Sequence, residues 1–425
     1  MPLLECSDIM ATGHSNNRAR SSSRSASKRK AAKRRLTVSL AGAVLAFAVG
    51  FLLLWSLGSW LVGGGGFPGG SEDNVVSAPA AVQAVHTYNI EPLVDLRAFR
   101  DLSYEPIKAV YMSSHAAGSS AFVDKLIGLA DRTEINALVI DVKEDMGYLT
   151  YEADVPLAKE QGLIEERIED IDAFIARLQE HHIIPIARVV CFKDTLLAKK
   201  RPDLAVKRTG GEIWADFKGL SYTNPYNHDV WEYLVQVAED AARRGFREIQ
   251  FDYVRFPSDG KISEAVYPGE NSSKEDAIAA FLAYARPRLE KLGVWVSADV
   301  FGLTVYVKDD MGIGQKIEKV SRNVDIVCPM VYPSHYESGS YGLENPNAAP
   351  YETITAAMKD TKRRLAGTGA MGRPWLQDFS YRGINYGVAE VKAQIKASEE
   401  QGFMEWILWD PSLDYMEGAL RSQEG

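Results

Sequence analysis

Eight short apolar runs, most of them rich in Val and Ile and each separated from the next by amphipathic sequence, limit this chain to few architectures. They read IKAVYMSS (107–114), ALVIDVKED (137–145), IIPIARVVCF (183–192), EIQFDYVRFP (248–257), GVWVSADVFG (293–302), VDIVCPMVYP (324–333), RPWLQDFSY (373–381) and EWILWDP (405–411). Runs of this length and composition are those of strands buried on both faces, as in a parallel sheet. The sequence between them is helical in period: over 165–182, Ile168, Ile171, Ile175 and Leu178 fall on one face, and further helices are predicted over 230–244, 275–292, 351–365 and 388–401. Eight strands alternating with helices predict an α/β protein, most simply a (β/α)8 TIM barrel, with an open doubly wound sheet as the alternative.

The connections are asymmetric. Those from helix to strand are short and carry Gly245, Gly293 or Gly402, whereas the loops leaving the third, fourth and sixth strands are long. Barrel enzymes build their sites from the loops at the strands' C-terminal ends, so the functional residues are expected there.

Ahead of the barrel the sequence divides into three parts. Residues 1–35 hold nine Lys/Arg against Glu5 and Asp8, about +7, which leaves about −16 on the rest of a chain whose formal charge is −9. From 36 to 62 there is no charged residue, a length above the ~20 residues that cross a bilayer as a helix. The basic residues before it predict a cytoplasmic N-terminus, a single-pass anchor in the cell membrane and an extracytoplasmic remainder. A cleaved signal peptide or a twin-arginine signal at Arg34-Arg35 fits less well. Residues 63–105, opening on Gly63-Gly64-Gly65-Gly66, read as a flexible linker, and 106–425 as the barrel.

Other classes are disfavoured. The basic tail lacks interleaved aromatics and abuts an apolar span, so anionic lipid suits it better than nucleic acid. Three cysteines (Cys6, Cys191, Cys328) make no disulfide framework. No nucleotide-binding loop sits between a strand and a helix, and no organic cofactor is expected. His115, His228 and His335 are dispersed, which weighs against a metal-dependent polysaccharide deacetylase. Oligomeric state leaves no mark on the sequence.

Strand alternation then selects side chains. In the fifth run Val294, Val296, Ala298 and Val300 share the outer face, so Trp295, Ser297 and Asp299 point inward. The same parity aligns Asp141, Lys143 and Asp145 in the second run, and Gln250 with Asp252 in the fourth. Asp378 and Asp410 end the seventh and eighth. Each acid alone could cap a helix or pair with Arg188, Arg255 or Lys143, but so many carboxylates sent to one rim are costly without a polar purpose. Cleavage of a glycosidic bond uses two carboxyl groups, and Asp252 and Asp299 on adjacent strands could supply them. Trp214, Tyr222, Tyr226, Tyr306, Tyr332, Tyr336 and Tyr381 on the loops offer faces for sugar rings.

The motifs YTNPYNHDVWEYL (222–234), FDYVRFP (251–257), IDVKEDMGYLTY (140–151), SADVFGLT (297–304) and CPMVYPSHY (328–336) resemble those of a bacterial family named as putative glycoside hydrolase (TIM-barrel) domains, over roughly residues 106–420. This resemblance implies hydrolysis of a carbohydrate. The wider similarity to α-amylase-like barrels implies Asp252 as nucleophile, Asp299 as acid/base and Asp378 as stabiliser. Asp299 stands where that pattern has Glu, so Glu144, Asp145 or Asp410 could take its place. A chitinase-like series of acids ending in Glu on the fourth strand is absent. Asp141, Lys143, Asp145, Trp214, Tyr222, Asn224, Tyr253, Arg255, Tyr332 and Asp410 complete the candidate site as substrate-binding residues. A barrel that binds glycan without cleaving it is the principal alternative.

Overall fold

In the computed structural model residues 105–423 are described. The predicted tail 1–35, anchor 36–62 and linker, up to residue 104, lie outside the described residues. Among the described residues no helix is long and apolar enough to cross a membrane.

The eight predicted strands form as β1 Lys108–Met112, β2 Ala137–Lys143, β3 Ile184–Val190, β4 Glu248–Asp252, β5 Trp295–Phe301, β6 Ile326–Met330, β7 Trp375–Gln377 and β8 Trp406–Trp409. All pair in parallel with their neighbours, and β8 returns to β1 with Lys108 opposite Trp406. The ring closes between β6 and β7, where Trp375 lies opposite Met330. Closure removes the open-sheet alternative and leaves a (β/α)8 barrel.

Six long helices surround it: α1 Ser120–Arg132, α2 Ile171–Glu180, α3 His228–Arg243, α4 Lys274–Glu290, α5 Pro350–Leu365 and α6 Val388–Glu400. Their ends follow local chemistry. Asn227 caps α3 by accepting the Asp229 N–H, satisfying an otherwise orphaned donor. The helix predicted over 165–182 starts later, because Asp170 caps α2 on the Ala173 N–H. The preceding stretch is held extended, with Glu165 N–H on the Leu149 carbonyl and Ile168 N–H on that of Thr150. After β5 the helical layer thins to two single turns, Leu303–Tyr306 and Ile317–Val320.

The outward faces of the strands, such as Leu138, Ile140 and Val142 on β2, are fully buried under the helices, each worth about 1.5–3 kcal/mol. The bottom of the barrel is polar instead. Arg373, at the foot of β7, donates to both oxygens of Glu248 at 2.8 Å and to Glu405 at 2.9 Å, while Ser297 Oγ donates to Glu248 at 2.5 Å. With all of them buried, the cation compensates two carboxylates that would otherwise repel each other across the lumen.

Candidate active site

At the C-terminal ends of the strands lies a cleft of about 410 Å³. Arg188, inward on β3, organises its floor. Its Nη1 meets Asp141 Oδ1 on β2 at 2.5 Å, and its Nη2 and Nε meet Asp252 Oδ2 on β4 at 2.5 and 2.9 Å. The Tyr111 hydroxyl, from β1, donates to the other Asp141 oxygen at 2.5 Å. Four consecutive strands therefore supply one chain of charge-assisted hydrogen bonds. Burial pushes the Asp141 carboxyl up, opposed by the Arg188 guanidinium.

The second Asp252 oxygen accepts the N–H of Tyr253 at 2.6 Å. Tyr253 itself sits at φ 47°, in the left-handed region that a bulky residue avoids and that collects at functional sites. Its ring lies 4.5 Å from Lys193 Nζ and 4.8 Å from the Arg255 guanidinium, so two cations brace the strained turn.

Aromatic side chains from β7, β8 and the loop after β6 wall the cleft. Tyr332 and Trp409 lie with ring centroids 5.5 Å apart and 35° between their planes, and Trp375 meets Tyr111 edge-on at 6.4 Å. Beneath Trp375 lies Asp299. Its Oδ1 accepts the indole N–H at 2.7 Å, and its side chain is 1 % exposed. Asp299 does not line the cleft, and burial, then the charge of Asp252, push its carboxyl well above the usual range.

The opposite wall is the loop after β2. Arg167 holds Glu144 through two guanidinium nitrogens and reaches Ser114 Oγ at 2.7 Å. Burial raises the Glu144 carboxyl, Arg167 opposes this, and Asp141 and Asp145 add to it. Asp145, 35 % exposed, faces the opening and lies 3.3 Å from Lys193.

Of the residues selected from sequence, Asp141, Glu144, Asp145, Asp252, Tyr253 and Tyr332 line this cleft; Lys143, Trp214, Tyr222, Asn224, Arg255, Asp299, Asp378 and Asp410 do not. For Lys143 the parity argument fails at a bulge: Asp141 lies opposite Arg188, yet Lys143 lies opposite Val189. The slip turns the ammonium out of the lumen, onto Asp194 at 2.8 Å and 5.9 Å from the Tyr233 ring of α3. Trp214 is fully buried, its indole N–H on the Lys261 carbonyl and its ring packed on Tyr222. Asn224 donates to the Pro268 carbonyl and accepts from Tyr226 N–H, tying one loop to another. Arg255 stacks on Phe301 as well as Tyr253. Asp378 accepts the Met416 N–H and Asp410 the Ser412 N–H, anchoring the C-terminal segment. Burial pushes these two carboxyls up to about 7 and about 6.

With that geometry in view, comparison with known proteins is informative. The model of the family described as "Putative glycosyl hydrolase domain" matches residues 109–415. The chain belongs to this family. No curated protein matches it. A hypothetical protein from Ruminiclostridium thermocellum ATCC 27405 is 38 % identical over 48 % of this chain and 98 % of its own, with a TM-score of 0.42. The glycoside hydrolase domain of PgaB (BpsB) from Bordetella bronchiseptica covers 75 % of this chain and 99 % of its own at 11 % identity and a TM-score of 0.56, a likeness of fold.

Several cleft residues of this glycosyl hydrolase domain escape sequence reasoning. Tyr111 and Trp409 stand in the C-terminal parts of β1 and β8 and Trp375 at the start of β7, all at inward positions, and that parity was the available signal. Arg188 reads from sequence as a partner for acids but not as their centre, since only the folded ring brings β2, β3 and β4 to one guanidinium. Ser114 and His115, which also line the cleft, carry no signal in a single sequence.

Proposed function

We propose that the barrel hydrolyses glycosidic bonds of an extracytoplasmic poly- or oligosaccharide, with Asp252 as the carboxylate that faces the reacting carbon. One observation carries this reading: Asp252 is held by three donors, from Arg188 and the Tyr253 backbone, on the floor of a cleft walled by Tyr332, Trp375 and Trp409. Flat aromatic walls suit sugar rings, and a pre-oriented carboxylate suits the positive charge that develops at the anomeric carbon.

The proton donor in this reading is Glu144. It lines the cleft, and burial raises its carboxyl against the opposing pull of Arg167, a shift in the direction that suits a group delivering a proton to a leaving oxygen. Asp299, singled out by strand parity, acts from below by fixing Trp375, and Asp378 by fixing the C-terminal segment. The membrane span proposed for residues 36–62 would display the barrel outside the cell, where protease applied to intact cells should cut it.

The test is release of reducing ends from a panel of α- and β-linked bacterial envelope glycans by the full-length protein. Release that disappears with Asp252→Asn supports the proposal; binding with no release from any glycan sinks it. That second outcome would favour a glycan-binding barrel, a reading supported by Arg188 itself, which satisfies Asp141 and Asp252 as a purely structural ion pair would.

A further inference from the structure

The acids that line the cleft outnumber its cations, and the most exposed of these charged groups is an acid, Asp145. Asp141, Glu144, Asp145 and Asp252 all line it, against Arg188 as the one Lys or Arg among the lining residues. Each nearby cation is already engaged on the protein side. Arg188 is divided between Asp141 and Asp252. Arg167 is held by Glu144, with Glu165 at 3.2 Å. Lys193, fully buried, lies near Asp145 and the Tyr253 ring. For any of them to form an ion pair with a carboxylate or phosphate on a ligand, it would have to share a charge already neutralised by a buried or half-buried acid, which weakens the attraction it can offer. An anionic ligand would in addition approach Asp145, whose carboxylate is the most exposed of the four.

Resting on the hydrolase reading of the same cleft, we infer that its substrate is a non-acidic glycan, built of neutral or amino sugars, and that polymers bearing carboxylate, phosphate or sulfate groups are excluded. Specificity of this kind is set by repulsion as much as by attraction. The aromatic walls take the sugar faces, and the carboxylates accept hydrogen bonds from hydroxyl or amine groups.

Binding can be measured separately from cleavage with the full-length wild-type protein. The neutral probes are cellohexaose, maltohexaose and the hexamer of N-acetylglucosamine; the acidic probes are hexagalacturonate and poly(glycerol phosphate). At least one neutral probe should bind at least about tenfold more tightly than either acidic one, and its affinity should change less than about twofold between roughly 50 and 500 mM NaCl. Asp145→Arg, at a part-exposed position beside Lys193, should raise the affinity for hexagalacturonate by about tenfold or more, and Asp145→Asn, which keeps an oxygen toward Lys193, should raise it by a smaller factor. Preferential binding of an acidic probe by the wild type, or failure of every neutral probe to bind, overturns the inference. Neutral binding without reducing-end release from any glycan would remove the hydrolase reading and leave the preference of the cleft for non-acidic ligands standing.

Discussion

Asp252 and Asp299 sit on adjacent strands with the same inward parity, yet their surroundings separate them. Asp252 opens onto the cleft with its charge compensated by Arg188, whereas Asp299 lies under an indole with its carboxyl pushed up by burial. An amide replaces a carboxyl with little change of shape and can still accept the Trp375 N–H. Asp299→Asn should therefore lower kcat by no more than about tenfold, far less than the 10²–10⁴-fold loss typical of a removed acid or base. Asp299→Leu, which cannot accept that bond, should raise KM as the indole loses its orientation. Steady-state kinetics of the two variants decides the point, and an Asn variant as inactive as Asp252→Asn would make Asp299 the acid itself. Strand parity alone could pick out both residues, because alternation fixes which side chains point inward. It could not rank them, because burial depends on what other strands lay over them.

Among the elements, the strands were legible throughout, since their apolar runs depend on local period and on burial under helices. Loop residues were less so: Trp214 and Asn224 hold the loop after β3 against the one after β4, with Tyr222 packed on Trp214, a use of aromatic and amide groups that composition does not distinguish from sugar binding. The C-terminal segment shows a further property absent from sequence. Asp378 is fully buried with its carboxyl at about 7, chiefly through burial, and Asp410 is at about 6. Both values lie above the ~3.9 of an unfolded aspartate, so between about pH 4 and 7 the folded chain holds protons that the unfolded chain has released. Stability from these groups is present at low pH and is lost as pH rises to about 7, by at most a few kcal/mol. Asp378→Asn, whose amide oxygen can still accept from Met416 N–H, should raise Tm at pH 8 and flatten the fall in Tm between pH 5 and 8. Thermal melts at both pH values test this, and an unchanged slope would count against it.

For the whole molecule, the polar bottom of the barrel and its open mouth have different tasks. Arg373 ties Glu248 of β4 to Glu405 beside β8, joining opposite sides of the ring at a depth where water does not compensate charge. Arg373→Met should cost about 3–5 kcal/mol, the usual result of stranding buried carboxylates, and urea denaturation should show it as a lower midpoint. Replacing Glu248 and Glu405 by apolar residues in the same background should recover much of the loss. The mouth spends part of its stability on strain at Tyr253 and on four clustered acids.

The most direct test of the account compares full-length wild-type and Asp252→Asn proteins on the same glycan, measuring both reducing-end release and binding. The account predicts that turnover falls by at least about a hundredfold while affinity stays within about tenfold. Equal turnover by the two proteins would contradict it.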